Sequence, residues 1–297
     1  MRKTKIRQVY RKTLPVPVRD FLWRFRKYLS YWGKGKYKPE KTLRLEIHLA
    51  DHCNLNCANC SHFSPVADEY YLDIESYKND CARISGLGLD RIGGIRLMGG
   101  EPLLHPQLIE ILKISRQFFN GDNYVEIVTN GILLPKQSAE FWQVCKENRI
   151  RVFISKYPIK LDMELIEKTA KQFSVDIILS DKESDWRVKP LDLTGSQNKK
   201  RSFILCNEGE KCIQLEEGKL FTCAQTAYIR HFNKYFGTNL EVTEDDYISV
   251  YEKHTIDEIL RFLSKPKPFC RYCIIGYGGG KFCRPWEMSH KSITEWT

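Results

Sequence analysis

No stretch of this 297-residue chain approaches the roughly 20 unbroken apolar residues that a membrane-spanning helix requires. The N-terminus has neither the apolar run nor the small-residue cleavage site of a secretory signal. Internal repeats and low-complexity segments are missing too, which excludes a solenoid or a disordered tail as the main plan. The body of the chain also lacks net charge. Residues 1–41 hold 14 Lys/Arg against two acids, Asp20 and Glu40, whereas the rest carries 33 Lys/Arg against 35 Asp/Glu. The overall charge of +10 therefore belongs to a leader, and a near-neutral body argues against nucleic acid as the main partner. Cysteine, by contrast, is plentiful at 11 residues. In a chain without a secretory signal, that number points to metal binding rather than disulfides and to a cytoplasmic location.

The sequence divides into three parts: a basic amphipathic leader at 1–41, a strand–helix region at 42–195 and a cysteine-rich module at 196–297. In the leader Val18, Phe21, Leu22, Phe25, Leu29 and Trp32 recur at helical spacing, with Arg19, Arg24, Arg26 and Lys27 between them. Such a helix suits an anionic membrane surface, at the inner membrane for example, or RNA or an acidic partner. Packing of the apolar stripe against the body, with the charges solvated, is the plainer expectation. Gly33, Gly35 and Pro39 then break the chain. Strand patterns at Leu43–Leu49, Arg91–Met98, Tyr124–Thr129, Ile150–Ser155 and Val175–Leu179 alternate with helical patterns. That alternation predicts an α/β fold with a parallel sheet covered by helices. Beyond residue 195, a hairpin is expected around Leu215-Glu216-Glu217-Gly218, and Thr255 with Glu258 forms a capping box for a later helix. Cys81 and Cys145 lie on apolar stripes and read as small core residues. The Arg230–Phe236 stretch mixes basic and aromatic groups, which fits a half-buried segment better than a nucleic-acid surface.

Three cysteines within eight residues, Cys53-Asn-Leu-Asn-Cys57-Ala-Asn-Cys60, carry the chemistry. Three thiolates from one loop can hold three irons of a [4Fe–4S] cluster and leave the fourth open. The alternative is a zinc site completed by His48, His52 or His62, but a lone triplet followed by a glycine–glutamate motif fits the paired spacings that zinc favours poorly. Further motifs fall at the ends of later strands, where parallel folds gather their reactive groups. They are Gly99-Gly100-Glu101-Pro102, Thr129-Asn130-Gly131 and Ser155-Lys156.

The triple cysteine followed by Gly99-Gly100-Glu101-Pro102 resembles the paired landmarks of the radical SAM superfamily, over about residues 43–180. The resemblance implies a partial (β/α)6 barrel and binding of S-adenosylmethionine at the open iron. It implies an amino-group contact through the Gly100 backbone and Glu101, and ribose and carboxylate contacts through Asn130 and Ser155. The position before the third cysteine is often aromatic and near adenine in that family, whereas here it is Asn59. Cys206, Cys223, Cys270 and Cys273, placed around the hairpin and in a C-x2-C pair, resemble the Twitch module, the shorter relative of the SPASM domain. They imply one auxiliary [4Fe–4S] cluster. A zinc ribbon from the same four residues is the alternative, and Cys212 or Cys283 can replace an outer ligand or donate hydrogen. Gly278-Gly279-Gly280 is either a substrate-cradling loop or a connection, and Pro285-Trp286 reads as packing.

The implied activity is reductive cleavage of S-adenosylmethionine and removal of hydrogen from a substrate C–H bond. An external electron donor such as a flavodoxin or ferredoxin is implied with it. The expected substrate is a small molecule or glycan, with oxidation or epimerisation of a carbohydrate or glycolipid unit as the reaction. Maturation of a peptide is the second enzymatic reading. A non-catalytic metal-binding RNA or membrane adaptor is the reading from another class.

Overall fold

The computed structural model describes residues 15–33, 41–180, 186–206, 213–276 and 282–297. The leader forms helix α1, Val16–Gly33. Strands and helices then alternate as β1 Leu43–Ala50, α2 Ile74–Ser85, β2 Ile92–Gly99, α3 Leu108–Phe118 and β3 Tyr124–Thr129. They continue as α4 Ala139–Glu147, β4 Ile150–Ile154, α5 Met163–Phe173 and β5 Ile177–Leu179. After β6 Trp186–Arg187 and α6 Lys199–Leu205 come β7 Ile213–Glu216 and β8 Lys219–Phe221. Helix α7 Ala224–Phe236, β9 Tyr247–Ser249, α8 Ile256–Leu263 and β10 Cys283–Arg284 complete the order. No described helix is long and apolar enough to cross a membrane.

One sheet of eight strands runs β5-β4-β3-β2-β1-β7-β8-β9. Strands β1 to β5 are parallel, as their alternation with helices requires, and β7 is a sixth parallel strand. This sixth strand pairs with β1 rather than extending beyond β5. The C-terminal hairpin thereby lengthens the same sheet. Its turn is tighter than the sequence suggests: Glu217 and Gly218 alone, at φ 48° and 70°, both left-handed as a two-residue hairpin turn demands. The capping box at Thr255 and Glu258 forms as read. Helix α7 is longer than the segment anticipated and buries His231 and Phe232, while Arg230 is ion-paired with Asp51 and Glu216.

Period-2 alternation sorts β1 into two faces. Leu43, Leu45, Ile47 and Leu49 join Ile95, Leu97, Val125, Ile127, Val152 and Ile154 in the main core, which also encloses Cys81 and Cys145. The opposite face carries charge. Gln214, Glu46, Arg96, Glu126 and Arg151 stand in register on five adjacent strands. Gln214 donates to Glu46 at 2.6 Å, Arg96 bridges Glu46 and Glu126 at 3.0 Å each, and Arg151 reaches Glu126 at 3.0 Å. Burial opposes the Arg96 charge, but the two carboxylates outweigh it and raise its pKa. Arg96→Ala would leave two buried carboxylates without their shared partner. Removing one member of a buried pair costs about 3–5 kcal/mol, and the partial exposure of Arg96 reduces this to about 2–3 kcal/mol. A lowered urea midpoint with unchanged slope is the expected measurement.

A second, smaller core joins Phe63 and Val66, which follow the cysteine loop, to Phe221, Tyr228, Phe232, Phe269, Tyr272 and Trp296. The C-terminal part of the chain therefore packs directly behind that loop.

Candidate functional site

The loop bearing the three cysteines leaves the C-terminal end of β1. It is anchored at its start by Asp51, which meets His48 at 3.2 Å, His231 at 3.1 Å and Arg230 at 3.0 Å. Burial alone would raise the Asp51 pKa, yet the two histidines and the Arg230 charge hold it far below the ordinary carboxylate value. Within the loop the Leu55 N–H donates to the Cys53 sulfur at 3.3 Å. Asn59 and Phe63 take left-handed φ values of 56° and 57°, which turn the chain sharply on either side of Cys60.

The electrostatics of the three thiols records their closeness. Burial raises the pKa of all three thiols, that of Cys57 to about 12, and neighbouring thiols and Glu101 raise Cys53 further. Three thiolates so placed are tolerable only against a strongly cationic centre, so the donor set fits a metal cluster. Among the described residues no three His, Cys, Asp or Glu side chains are placed around one metal ion. Cubane ligands bind different irons, so they need not converge as the ligands of one zinc do.

The Gly99-Gly100 pair has a steric cause. The Gly100 N–H donates to the Ala50 carbonyl at 2.7 Å and the Glu101 N–H to the His52 carbonyl at 3.1 Å. A Cβ on Gly100 would stand 2.0 Å from the His52 carbonyl oxygen, and Gly99 has φ 135°. The strand end thus lies directly against the segment that enters the cysteine loop. Pro102 opens a buried 3-10 turn.

Glu101 is fully buried and ties the ends of β2 and β3 together. Its carboxylate accepts hydrogen bonds from the Thr129 hydroxyl at 2.7 Å, the Leu103 N–H at 3.1 Å and the Asn130 N–H at 3.0 Å. Burial raises its pKa to about 7 against those hydrogen bonds. With about four acceptor positions on a carboxylate, one remains for a ligand. The Asn130 amide donates to the Asn54 side chain at 2.7 Å and stands 3.7 Å from the Cys53 sulfur. Ser155 follows β4, its N–H bonded to the Thr129 carbonyl at 2.9 Å. The structure therefore brings Cys53, Cys57, Cys60, Glu101 and Asn130 into one neighbourhood and leaves Ser155 at the adjoining strand end.

Asn59 is fixed elsewhere. Its side chain donates to the Glu295 carbonyl and accepts from the Lys189 N–H at 3.1 Å. It belongs to a strap that the sequence did not disclose. The Ala58 N–H donates to the Glu287 carbonyl at 3.0 Å, the Ser289 N–H to Asn56 at 3.0 Å, and Cys57 bridges to Met288. The Trp296 indole donates to the Cys60 carbonyl at 2.9 Å. Tyr157 and Trp286 stand beside the Cys57 sulfur, with ring centroids 6.1 Å apart. Trp286, read as packing, packs against the cysteine loop itself. Only the aromatic side chains so near the C-terminus hinted at this strap, because strand-like pairing over more than 200 residues has no local signature.

The second set of thiols also gathers. Cys206 follows α6, Cys223 caps α7, Cys270 lies within a 3-10 turn at Pro268–Tyr272 and Cys273 caps its end. Burial is the main cause that raises the pKa of Cys223, Cys270 and Cys273, and mutual repulsion among these and Cys206 adds to it. Cys212 and Gly278-Gly279-Gly280 lie outside the described residues, and Cys283 sits on β10.

Residues 47–157 match the family model described as the Radical SAM superfamily. The GTP 3',8-cyclase of Chlorobaculum tepidum (strain ATCC 49652 / DSM 12025 / NBRC 103806 / TLS) is 34% identical over 93 residues, 31% of this chain and 27% of that protein. The GTP 3',8-cyclase of Aquifex aeolicus (strain VF5) is 30% identical over 164 residues, 51% of this chain and 47% of that protein. The chain thus spans less than half the length of these curated relatives. Among solved structures, BtrN in complex with AdoMet and 2-DOIA superposes with a TM-score of 0.52 at 17% identity, covering 80% of this chain and 94% of that one. That likeness speaks for the fold.

Proposed function

We propose that this chain, whose residues 47–157 match the Radical SAM superfamily model, removes a hydrogen atom from a C–H bond of a small polar molecule and oxidises it. Cys53, Cys57 and Cys60 would hold a [4Fe–4S] cluster with one open iron, and Cys206, Cys223, Cys270 and Cys273 an auxiliary cluster. When bound, the first cluster with S-adenosylmethionine supplies a 5′-deoxyadenosyl radical as the hydrogen-abstracting species. The observation that carries the reading is the gathering of three buried thiols from one loop beside Glu101 and Asn130.

The chain's own residues have definable tasks. Gly100 lets the strand end approach the cluster loop, and Glu101 keeps one acceptor position for an ammonium group. Asn130 orients the Cys53 side of the loop, and Ser155 offers a hydroxyl at the next strand end. Trp286 and Tyr157 exclude water from Cys57, as radical chemistry requires. The auxiliary thiols favour oxidation over redox-neutral epimerisation, because a four-cysteine cluster without an open iron is suited to electron transfer. The curated relatives are named for a reaction on GTP, which favours a small molecule over a peptide. A nucleotide or a carbohydrate unit is the proposed substrate class, with a flavodoxin or ferredoxin as external electron donor.

Anaerobic reconstitution should yield about eight irons per chain if both clusters form. Reduction should then release 5′-deoxyadenosine from S-adenosylmethionine, faster with nucleotide sugars than without. Zinc at the three loop cysteines, or reduced protein that leaves S-adenosylmethionine intact, would refute the activity. Stimulation by a precursor peptide but by no small molecule would refute the substrate class.

A further inference from the structure

The leader helix leaves much of its apolar stripe uncovered. An amphipathic surface helix normally turns its apolar stripe to the core. In α1 the side chains spaced three and four apart face solvent instead: Val18 is 42% exposed, Phe21 67%, Phe25 53% and Leu29 54%. The Phe21 and Phe25 rings stack with centroids 6.4 Å apart, forming one continuous apolar ridge. The face turned toward the body is mixed: Leu22, Trp23 and Tyr28 are half-buried on it. Asp20, Arg24 and Lys27 are half-buried. Arg24 pairs with Asp20 at 2.6 Å, and the Lys27 ammonium donates to the Cys206 carbonyl at the end of α6 at 3.2 Å. Of the stripe read from the sequence, Leu22 is half-buried while Val18, Phe21, Phe25 and Leu29 are exposed.

We infer that α1 docks the protein flat on an anionic phospholipid surface. The ridge needs an apolar cover, and the leader that carries it has 14 Lys/Arg against two acids. A bilayer with anionic headgroups satisfies both at once: acyl chains take the phenylalanines while headgroups take those leader cations not held against the body, such as the exposed Arg26. A second copy would cover the ridge but bring two strongly basic leaders together. An RNA would meet the charges and leave Val18 and Leu29 without an apolar cover.

The test uses the full-length protein and sedimentation with vesicles of phosphatidylglycerol or of phosphatidylcholine. Binding to phosphatidylglycerol is expected, weakened by salt, with little binding to phosphatidylcholine. The double substitution Phe21→Glu/Phe25→Glu should weaken binding at least about tenfold, since each phenylalanine loses its apolar burial. Phe21→Leu/Phe25→Leu should retain most of it. Iron content and melting temperature of both variants should match the wild type, and if the glutamate variant misfolds, Phe21→Ser serves in its place. Equal vesicle binding by the wild type and the charged variant would overturn the proposal. So would equal binding to both lipids, RNA binding without vesicle binding, or a dimer that falls to a monomer when the phenylalanines are replaced.

Discussion

Cys53→Ala is expected to cost the protein half its iron and essentially all of its S-adenosylmethionine cleavage, whereas Cys273→Ala should cost the other half and spare the cleavage. The two thiol groups are built by different elements. Cys53, Cys57 and Cys60 come from the loop after β1, while Cys206, Cys223, Cys270 and Cys273 come from the C-terminal part. Cys53 responds to Cys57, Cys60 and Glu101, and Cys57 to Cys60, whereas Cys223, Cys270 and Cys273 respond to cysteines of the second group. Loss of one thiolate from a three-thiolate site leaves two irons without protein ligands. Because merely disturbing the groups around a metal ligand costs 10–100-fold, removal of a ligand should lower 5′-deoxyadenosine formation by at least about a hundredfold. Iron should fall from about eight to about four per chain in either variant. Cys273→Ala should still form 5′-deoxyadenosine yet fail to oxidise substrate. Cys81→Ala, in the main core, should leave iron unchanged. Equal loss of cleavage in Cys53→Ala and Cys273→Ala would show that the two groups do not act as separate centres.

Much of this arrangement can be read from the chain because its signals are local. The strands announce themselves by alternation, since Leu43, Leu45, Ile47 and Leu49 must share one face. The cysteine loop and the Gly99–Pro102 turn are contiguous motifs at strand ends. Asn130 hydrogen-bonds Asn54 within the cysteine loop, a contact its position alone did not specify. What could not be read depends on pairing across distance. Glu46, Arg96, Glu126 and Arg151 are ordinary polar positions in four separate strands until the register lines them up. The outward stripe of α1 was hidden for a related reason. Sequence gives the amphipathic pattern, but which face meets the body depends on contacts such as Lys27 with Cys206. Helix α7 was masked by its mixture of Gln, Thr, Arg and His: Gln225 donates to the Lys189 carbonyl and Arg230 pairs with Asp51 and Glu216, beside the buried Tyr228, Ile229 and Phe232.

Trp296→Ala should unfold the protein about 10 °C earlier and release iron from the loop cysteines on the same melt. Trp296 is completely buried although it is the penultimate residue. It packs with Phe63, Phe232 and Phe236 at centroid distances of 6.3, 6.2 and 5.8 Å. Truncating a buried tryptophan costs about 3–5 kcal/mol, and for a chain of this size each kcal/mol is worth about 2–4 °C. The indole N–H also donates to the Cys60 carbonyl, and the Trp296 carbonyl accepts from the Leu191 N–H at 2.6 Å. Packing and loop shape are therefore coupled through one side chain. Trp296→Phe separates them: it keeps most of the apolar volume and removes the indole donor, a net loss of about 1 kcal/mol. The phenylalanine variant should keep its iron under argon but lose it faster in air, because the strand-like strap at Glu287–Ser289 still covers Cys57 while Cys60 loosens. A melting shift no larger than that of a surface substitution, about 0.5 kcal/mol, would show that the strap merely rests on the loop. A large shift with iron retained would show that it stabilises the fold without shaping the site.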